Sequence, residues 1–150
     1  FDHALAAGTE FSVYATESRP RLLGRRTARQ LAERDGVEAT LVVDSAAAHY
    51  LSEVDRVFVG MNCLVEDVVY NRIGTYGIAL AADAEGVPVT VVASSAKMIG
   101  GGFDFENTHR PASEVMREPA DGFAVANPGY DATPTRYLDS LVTENGILEF

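Results

Sequence analysis

Short apolar runs alternate along this chain with stretches of helical periodicity. That alternation is the pattern of strand–helix–strand units, so it constrains the fold to α/β with an open, mainly parallel sheet and helices on both faces. Residues 11–15 alternate and hold β-formers, and residues 24–34 then place Ala28, Leu31 and Ala32 on one helical face before Gly36 stops it. Residues 40–43 are a short unbroken apolar run, as expected of a strand covered on both sides. Asp44 and Ser45 follow as a cap for a short helix over 46–51. A third strand over 56–59 is closed by Gly60, and 61–73 reads as a loop with one extended segment at 68–70. The helix at 76–85 is apolar nearly all round, which suits deep burial or a subunit interface. A fourth strand spans 89–93. The connection 94–121 carries Gly100, Gly101, Gly102, Pro111 and Pro119, and loops of that length usually serve function or move. A fifth strand is expected at 123–126, and a last helix from Pro134 to about Val142. The tail 146–150 is expected to order only against a partner. No repeat or linker is visible, so the expectation is one domain.

Charge narrows the partners. Twelve basic residues against 22 acidic ones give a net charge of −10, with no basic patch to neutralise phosphates, so nucleic acid is not an expected partner. No apolar run reaches the ~20 residues that span a bilayer, and no signal-peptide pattern opens the chain, so neither a membrane nor export is expected. The single cysteine, Cys63, excludes an internal disulfide framework and suits a reducing, cytoplasmic setting. Lys97 is the only lysine; every other basic residue is arginine. An acid-rich, lysine-poor surface fits a halophilic, salt-screened cytoplasm, and a GC-rich genome is the other reading of the same bias.

In open parallel sheets, ligands bind beyond the carboxyl ends of the strands. That rule selects Arg19 with Glu17 and Ser18, then Asp44, then Gly60, Met61 and Asn62, then Lys97 after Ser94 and Ser95, and finally Asn127 to Asp131. Asn71 and Arg72 precede the helix start at Gly74 and Thr75, where free backbone N–H groups attract anions. Arginine, lysine and that terminus together suit a phosphorylated small molecule. Each residue also has a plainer reading: Asp44 as a cap, Arg19 as an ion-pair partner, Gly74 and Thr75 as a helix start only. The three histidines sit in dissimilar contexts, so no metal site is expected, and Cys63 has no neighbouring histidine to activate it. Neither GxxxxGK nor GxGxxG occurs, which removes the usual support for triphosphate hydrolysis or dinucleotide binding; no cofactor is expected.

Taken in order, Glu17-Ser18-Arg19-Pro20 with Gly24, Val42-Val43-Asp44-Ser45-Ala46-Ala47, and Val59-Gly60 with Asn62 form one set with the later segments. Those are Asn71-Arg72-Ile73-Gly74-Thr75-Tyr76, Asn127-Pro128 with Tyr130-Asp131 and Thr133-Pro134, and Thr143-Glu144 with Gly146. The chain thereby resembles the family that unites the alpha, beta and delta subunits of translation initiation factor 2B with methylthioribose-1-phosphate and ribose-1,5-bisphosphate isomerases. The resemblance implies a Rossmann-like C-terminal domain, preceded in the longer protein by a helical domain, and assembly as a homo-oligomer or with related subunits. It implies an aldose–ketose isomerase chemistry that uses a cysteine upstream of this chain and an aspartate in a Gly-Ala-Asp motif. Here that motif reads Gly60-Met61-Asn62, and the family's Asn-Lys pair reads Asn71-Arg72. Leu23 stands where a glutamine is common before Gly24. An amide cannot serve as a carboxylate acid or base. The resulting expectation is a binding, regulatory or oligomerisation module for a sugar phosphate or nucleoside monophosphate, with Asn62 at an inactive acid position. The alternative is an isomerase of ribose 1,5-bisphosphate or methylthioribose 1-phosphate.

Overall fold

A computed structural model describes residues 1–118 and 121–150, so Pro119 in the long connection lies outside the described residues. The chain divides into two units, Phe1–Ala47 and Ala48–Phe150. No described helix is long and apolar enough to cross a membrane.

In the first unit, helix α1 (Asp2–Ala6) leads to strand β1 (Phe11–Thr16), helix α2 (Leu23–Ala32) and strand β2 (Val37–Val42). The two strands pair in parallel, from Phe11 opposite Val37 to Thr16 opposite Val42. Helix α2 is the right kind of crossover for such a pair. It buries Gly24 and Leu31 and leaves its arginines outside. Gly24 is required by contact, since a Cβ there would lie 1.6 Å from the Thr16 carbonyl oxygen. Gly36 turns the chain after α2 with φ +83°. A 3-10 segment, Asp44–Glu53, stands where the sequence suggested a short helix.

The second unit holds two four-stranded sheets. The first has β3 (Val57–Val59), β6 (Val89–Val92) and β9 (Ser140–Thr143) in parallel, with β10 (Gly146–Glu149) antiparallel at its edge. The second has the order β7-β4-β5-β8, from Met98–Ile99, Cys63–Val65, Val68–Arg72 and Tyr130–Pro134. In it β5 runs antiparallel to β4 and β8, and β7 runs parallel to β4. Helix α3 (Thr75–Glu85) follows β5. The fold is therefore mixed α/β, with parallel pairing in every sheet and antiparallel pairing in two of them.

The core is built where α3 meets these strands. Val69, Ala79, Ala82, Val91 and Leu141 have no exposed surface. Two alanines on the inner face of α3 let its backbone approach closely, and each large aliphatic side chain so buried contributes about 1.5–3 kcal/mol. The helix is not buried all round, because Leu80 is exposed.

Several expectations are corrected. Residues 63–65 form a strand, joined to β5 by the two-residue turn Glu66–Asp67, with Glu66 left-handed at φ 51°. Residues 123–126 are not a strand: Phe123 is 58% exposed, and Asn127 instead offers its carbonyl to the Arg110 N–H at 2.8 Å. Residues 134–142 are not a helix. Pro134 ends β8 at a sheet edge, where a missing N–H is tolerated. After a single 3-10 turn, β9 docks in parallel on β6. What suggested a helix was Pro134, read at a first helical turn; Leu138 and Leu141 follow it. Both are buried, but on an extended segment. The tail needs no partner to order, since Gly146–Glu149 pairs antiparallel with β9.

Candidate functional site

In the first unit the candidates are Arg19 and Asp44. The loop that leaves β1 runs through two left-handed residues, Ser18 (φ 59°) and Leu22 (φ 56°), with a cis Arg19–Pro20 bond between them. A left-handed L-residue costs about 1–2 kcal/mol, so something must hold it. Asp44 does: its carboxylate accepts the backbone N–H groups of Ser18 at 2.7 Å and Arg19 at 2.6 Å. The plain reading of Asp44 as a cap was close, but the capped loop follows β1 and not its own helix. Non-glycine residues held in rare conformations cluster at sites of function. Glu17, next in line, forms an ion pair with Arg25 at 2.8 Å.

In the second unit the carboxyl ends of parallel β3 and β6 supply the main constellation. Gly60, Met61 and Asn62 leave β3, and the Asn62 N–H is bonded to the Tyr70 carbonyl at 2.8 Å. Lys97, in the turn after β6, reaches across and donates from Nζ to the Met61 carbonyl at 2.6 Å. The exposed Asn62 side chain has no hydrogen-bond partner among the described residues. Asn71 comes to the same place from β5. Its Nδ2 donates to Thr75 Oγ1 at 3.0 Å, and a Cβ on Gly60 would lie 3.8 Å from its Oδ1. Thr75 is fixed in turn, donating to the Arg72 carbonyl at 2.7 Å. Asn71 and Thr75 are thus joined to each other beside Gly60, and Lys97 is tied to the Met61 carbonyl, one residue before Asn62.

Arg72 is not with them. Successive residues of a strand face opposite sides, so Asn71 turns toward α3 while Arg72 lies over the Tyr130 ring, 5.5 Å from Cζ to centroid. Adjacent in sequence, the pair is split between two faces of one sheet.

Gly74 and Thr75 do start a helix, and its anion site is filled from within. Asp131 Oδ2 accepts the N–H groups of Gly74 at 2.6 Å and Tyr76 at 3.1 Å. This is N-capping by a remote strand, and it satisfies donors that no intrahelical carbonyl can reach.

Cys63 is buried in β4, and burial pushes its thiol up from 9.0, away from the thiolate form. Beside Lys97, Ser95 donates from its hydroxyl and, at 3.0 Å, from its backbone N–H to Glu144. Those bonds, the hydroxyl's first, hold the Glu144 carboxyl down at about 2. This bracket ties the turn after β6 to the turn between β9 and β10. Sequence reasoning missed it, together with Arg110 and Asn107. Its traces were Ser95, named after the fourth strand, and Thr143-Glu144 beside Gly146, which no local signal joins.

The family model of the Initiation factor 2 subunit family matches residues 1–150. The chain belongs to this family. Among curated relatives, it is 42% identical to a ribose 1,5-bisphosphate isomerase of Haloterrigena turkmenica, over 95% of this chain and 48% of that protein. It is 38% identical to a methylthioribose-1-phosphate isomerase of Xylella fastidiosa, over 97% and 44%. Among solved structures, the delta subunit of translation initiation factor eIF-2B from A. fulgidus superposes with a TM-score of 0.90 at 33% identity, over 99% of this chain and 46% of that one. The chain spans about half the length of the curated relatives it matches. The family resemblance read from the sequence is therefore shown. Because these relatives are named as sugar-phosphate isomerases, they favour the isomerase alternative over the expected non-catalytic module.

Proposed function

We propose that this family member is part of an aldose–ketose isomerase acting on a pentose phosphate, ribose 1,5-bisphosphate before methylthioribose 1-phosphate. The observation that carries the reading is the 42% identity, over 95% of the chain, to a protein named as ribose 1,5-bisphosphate isomerase. The geometry supports it. Moving a hydrogen between C2 and C1 of an opened sugar needs its hydroxyls and carbonyl held in register by donors. Lys97 and the amide of Asn62 supply donors after the carboxyl ends of parallel β6 and β3, where α/β folds place ligands, and Asn71 adds its amide from antiparallel β5. In this reading these three bind and orient the open chain. The proton moves on groups contributed by the rest of the protein, such as the upstream cysteine that the resemblance implies. The Rossmann-like arrangement and the cytoplasmic setting belong to the same proposal.

A second reading is favoured by one residue. Asn62 stands where the resemblance implies an aspartate, and its carboxamide cannot exchange a proton near neutral pH. On that reading the site binds the sugar phosphate without turning it over. Incubating the full-length protein with each sugar phosphate separates the two. Ketose formation supports the isomerase. Saturable binding without ketose, converted to turnover by Asn62→Asp, supports the binding module. Absence of both binding and turnover overturns both.

A further inference from the structure

The turn that carries Lys97 is too short to hold itself. After β6, Ser94 caps the three-residue 3-10 turn Ser95–Lys97. Its Oγ accepts the Ala96 N–H at 3.3 Å, and the Lys97 N–H donates to the Ser94 carbonyl at 3.1 Å. Hydrogen bonds in such turns have poor geometry, and none of the three residues is buried. The lysine adds a flexible four-carbon stem. Its Nζ is nevertheless directed at one atom, the Met61 carbonyl oxygen, at 2.6 Å.

Glu144 supplies the missing anchor from the turn between β9 and β10. Both its carboxylate oxygens accept the Ser95 N–H, at 3.2 and 3.0 Å. One of them also accepts the hydroxyls of Ser95 and, at 3.4 Å, of Ser94. Asn145 Nδ2 donates to Ser95 Oγ at 3.0 Å. The platform beneath is tied as well. The Ala93 N–H donates to the Val142 carbonyl at 3.1 Å, the Asn145 N–H to Thr143 Oγ1 at 3.1 Å, and Thr143 Oγ1 to the Gly146 carbonyl at 3.3 Å. No arginine or lysine forms an ion pair with Glu144 among the described residues, so its charge is directed at the turn alone. An ionised carboxylate accepts and cannot donate. Held down at about 2 by Ser95, this one is no acid or base near neutral pH. What it can do is hold residues 94 and 95 in place. Lys97, tied through one N–H to Met61, then keeps two more for a ligand beside Asn62.

We propose that Glu144 is a positioning residue: acting through Ser95, it aims the Lys97 amine at the Met61–Asn62 segment. The proposal rests on the pentose-phosphate reading only for the molecule that the amine would meet.

The test is a double-mutant cycle in the full-length protein. Affinity for ribose 1,5-bisphosphate is measured by calorimetry, and kcat/KM by ketose formation, in Glu144→Ala, Lys97→Met and the pair. Glu144→Ala is expected to lower both about tenfold, since a displacement of about 1 Å in a positioned group can cost up to about 100-fold. In the Lys97→Met background the same change should cost less than about twofold, because the group it positions is gone. Glu144→Gln keeps an acceptor for Ser95 without the charge and should fall between parent and alanine. Glu149→Gln, which removes an exposed carboxylate from β10, should change neither quantity. A second readout needs no ligand. With 13C at lysine Cε, the two Hε protons of Lys97 are identified by their loss in Lys97→Arg. They should be inequivalent in the parent and converge in Glu144→Ala. If Glu144→Ala does not fold, Glu144→Gln and Ser95→Ala carry the same measurements. Equal losses with and without Lys97, or no loss in a protein that binds the sugar phosphate, overturn the proposal. An unchanged Lys97 resonance in folded Glu144→Ala does so too. If the parent neither binds nor converts the sugar phosphate, the pentose-phosphate reading fails, and the resonance alone decides the positioning role. Turnover with an unchanged resonance sustains that reading and overturns the positioning role.

Discussion

Replacing Asp131 by alanine removes the carboxylate oxygen that accepts the N–H groups of Gly74 and Tyr76, at 2.6 and 3.1 Å. Both donors sit at the first turn of α3, the helix whose alanines line the core. Hydrogen bonds to charged groups contribute about 1.5–3 kcal/mol, and loss of an N-cap costs about 0.5–2 kcal/mol. Gly74 and Tyr76 are only half-buried, so water recovers part of the loss. The expected destabilisation is about 2–3 kcal/mol. At roughly 2–4 °C per kcal/mol for a chain of this size, that is a fall in Tm of about 5–10 °C. Asp131→Asn keeps an oxygen acceptor but loses the charge that complements the helix dipole, and should cost about 1 kcal/mol. Urea unfolding of the three proteins at one salt concentration, without ligand, measures the series. An alanine variant within about 0.5 kcal/mol of the parent refutes the capping argument. If that variant keeps its stability but loses sugar-phosphate binding, Asp131 serves the ligand and not the helix.

Gly24→Ala should cost more, about 3 kcal/mol or above, because its Cβ meets backbone and not a movable side chain. A folded variant with unchanged denaturation midpoint would contradict the observed contact between α2 and β1. Glu144, held at about 2 against 4.5, contributes stability that is complete above about 4.5 and lost as pH falls through about 2. Glu144→Gln should therefore flatten the loss of stability between those values, seen in Tm against pH, and an unaltered acid limb argues against the Ser95 bracket. With a net charge of −10, the protein should become more stable as KCl rises from about 0.1 to about 1 M, where the screening length falls from about 10 to about 3 Å. Full stability in dilute buffer, with no salt dependence, favours a compositional origin for the arginine bias.

The elements legible in the sequence were those whose local signals agreed with their packing. Strands β1 and β6, helix α2 and helix α3 were placed within a few residues, because alternation, apolar runs and glycine stops pointed one way. Strand β4 was lost because three buried residues, Cys63, Leu64 and Val65, give too short a run to register alone. The Glu66–Asp67 turn beside them was the available clue. Residues 134–142 misled because Pro134 was read as the first turn of a helix, while the parallel pairing of β9 with β6 is a long-range fact. For the site, the sequence named Lys97 and Asn62 as residues after strand ends and Asn71 and Thr75 as residues at a helix start, and the structure places them there. The sequence did not show that alternation along β5 would send Arg72 to the other face, or that Asp131 would occupy the α3 terminus. Arg110 left no local signal, since its place depends on how the long connection folds back on Tyr130.

Hydrogen transfer itself tests the central claim most directly. Ribose 1,5-bisphosphate deuterated at C2 is incubated with the full-length protein and followed by NMR. The account predicts the ketose product, with deuterium at C1 or exchanged into solvent. Recovery of the aldose with deuterium still at C2, under conditions where the sugar phosphate is bound, would contradict it.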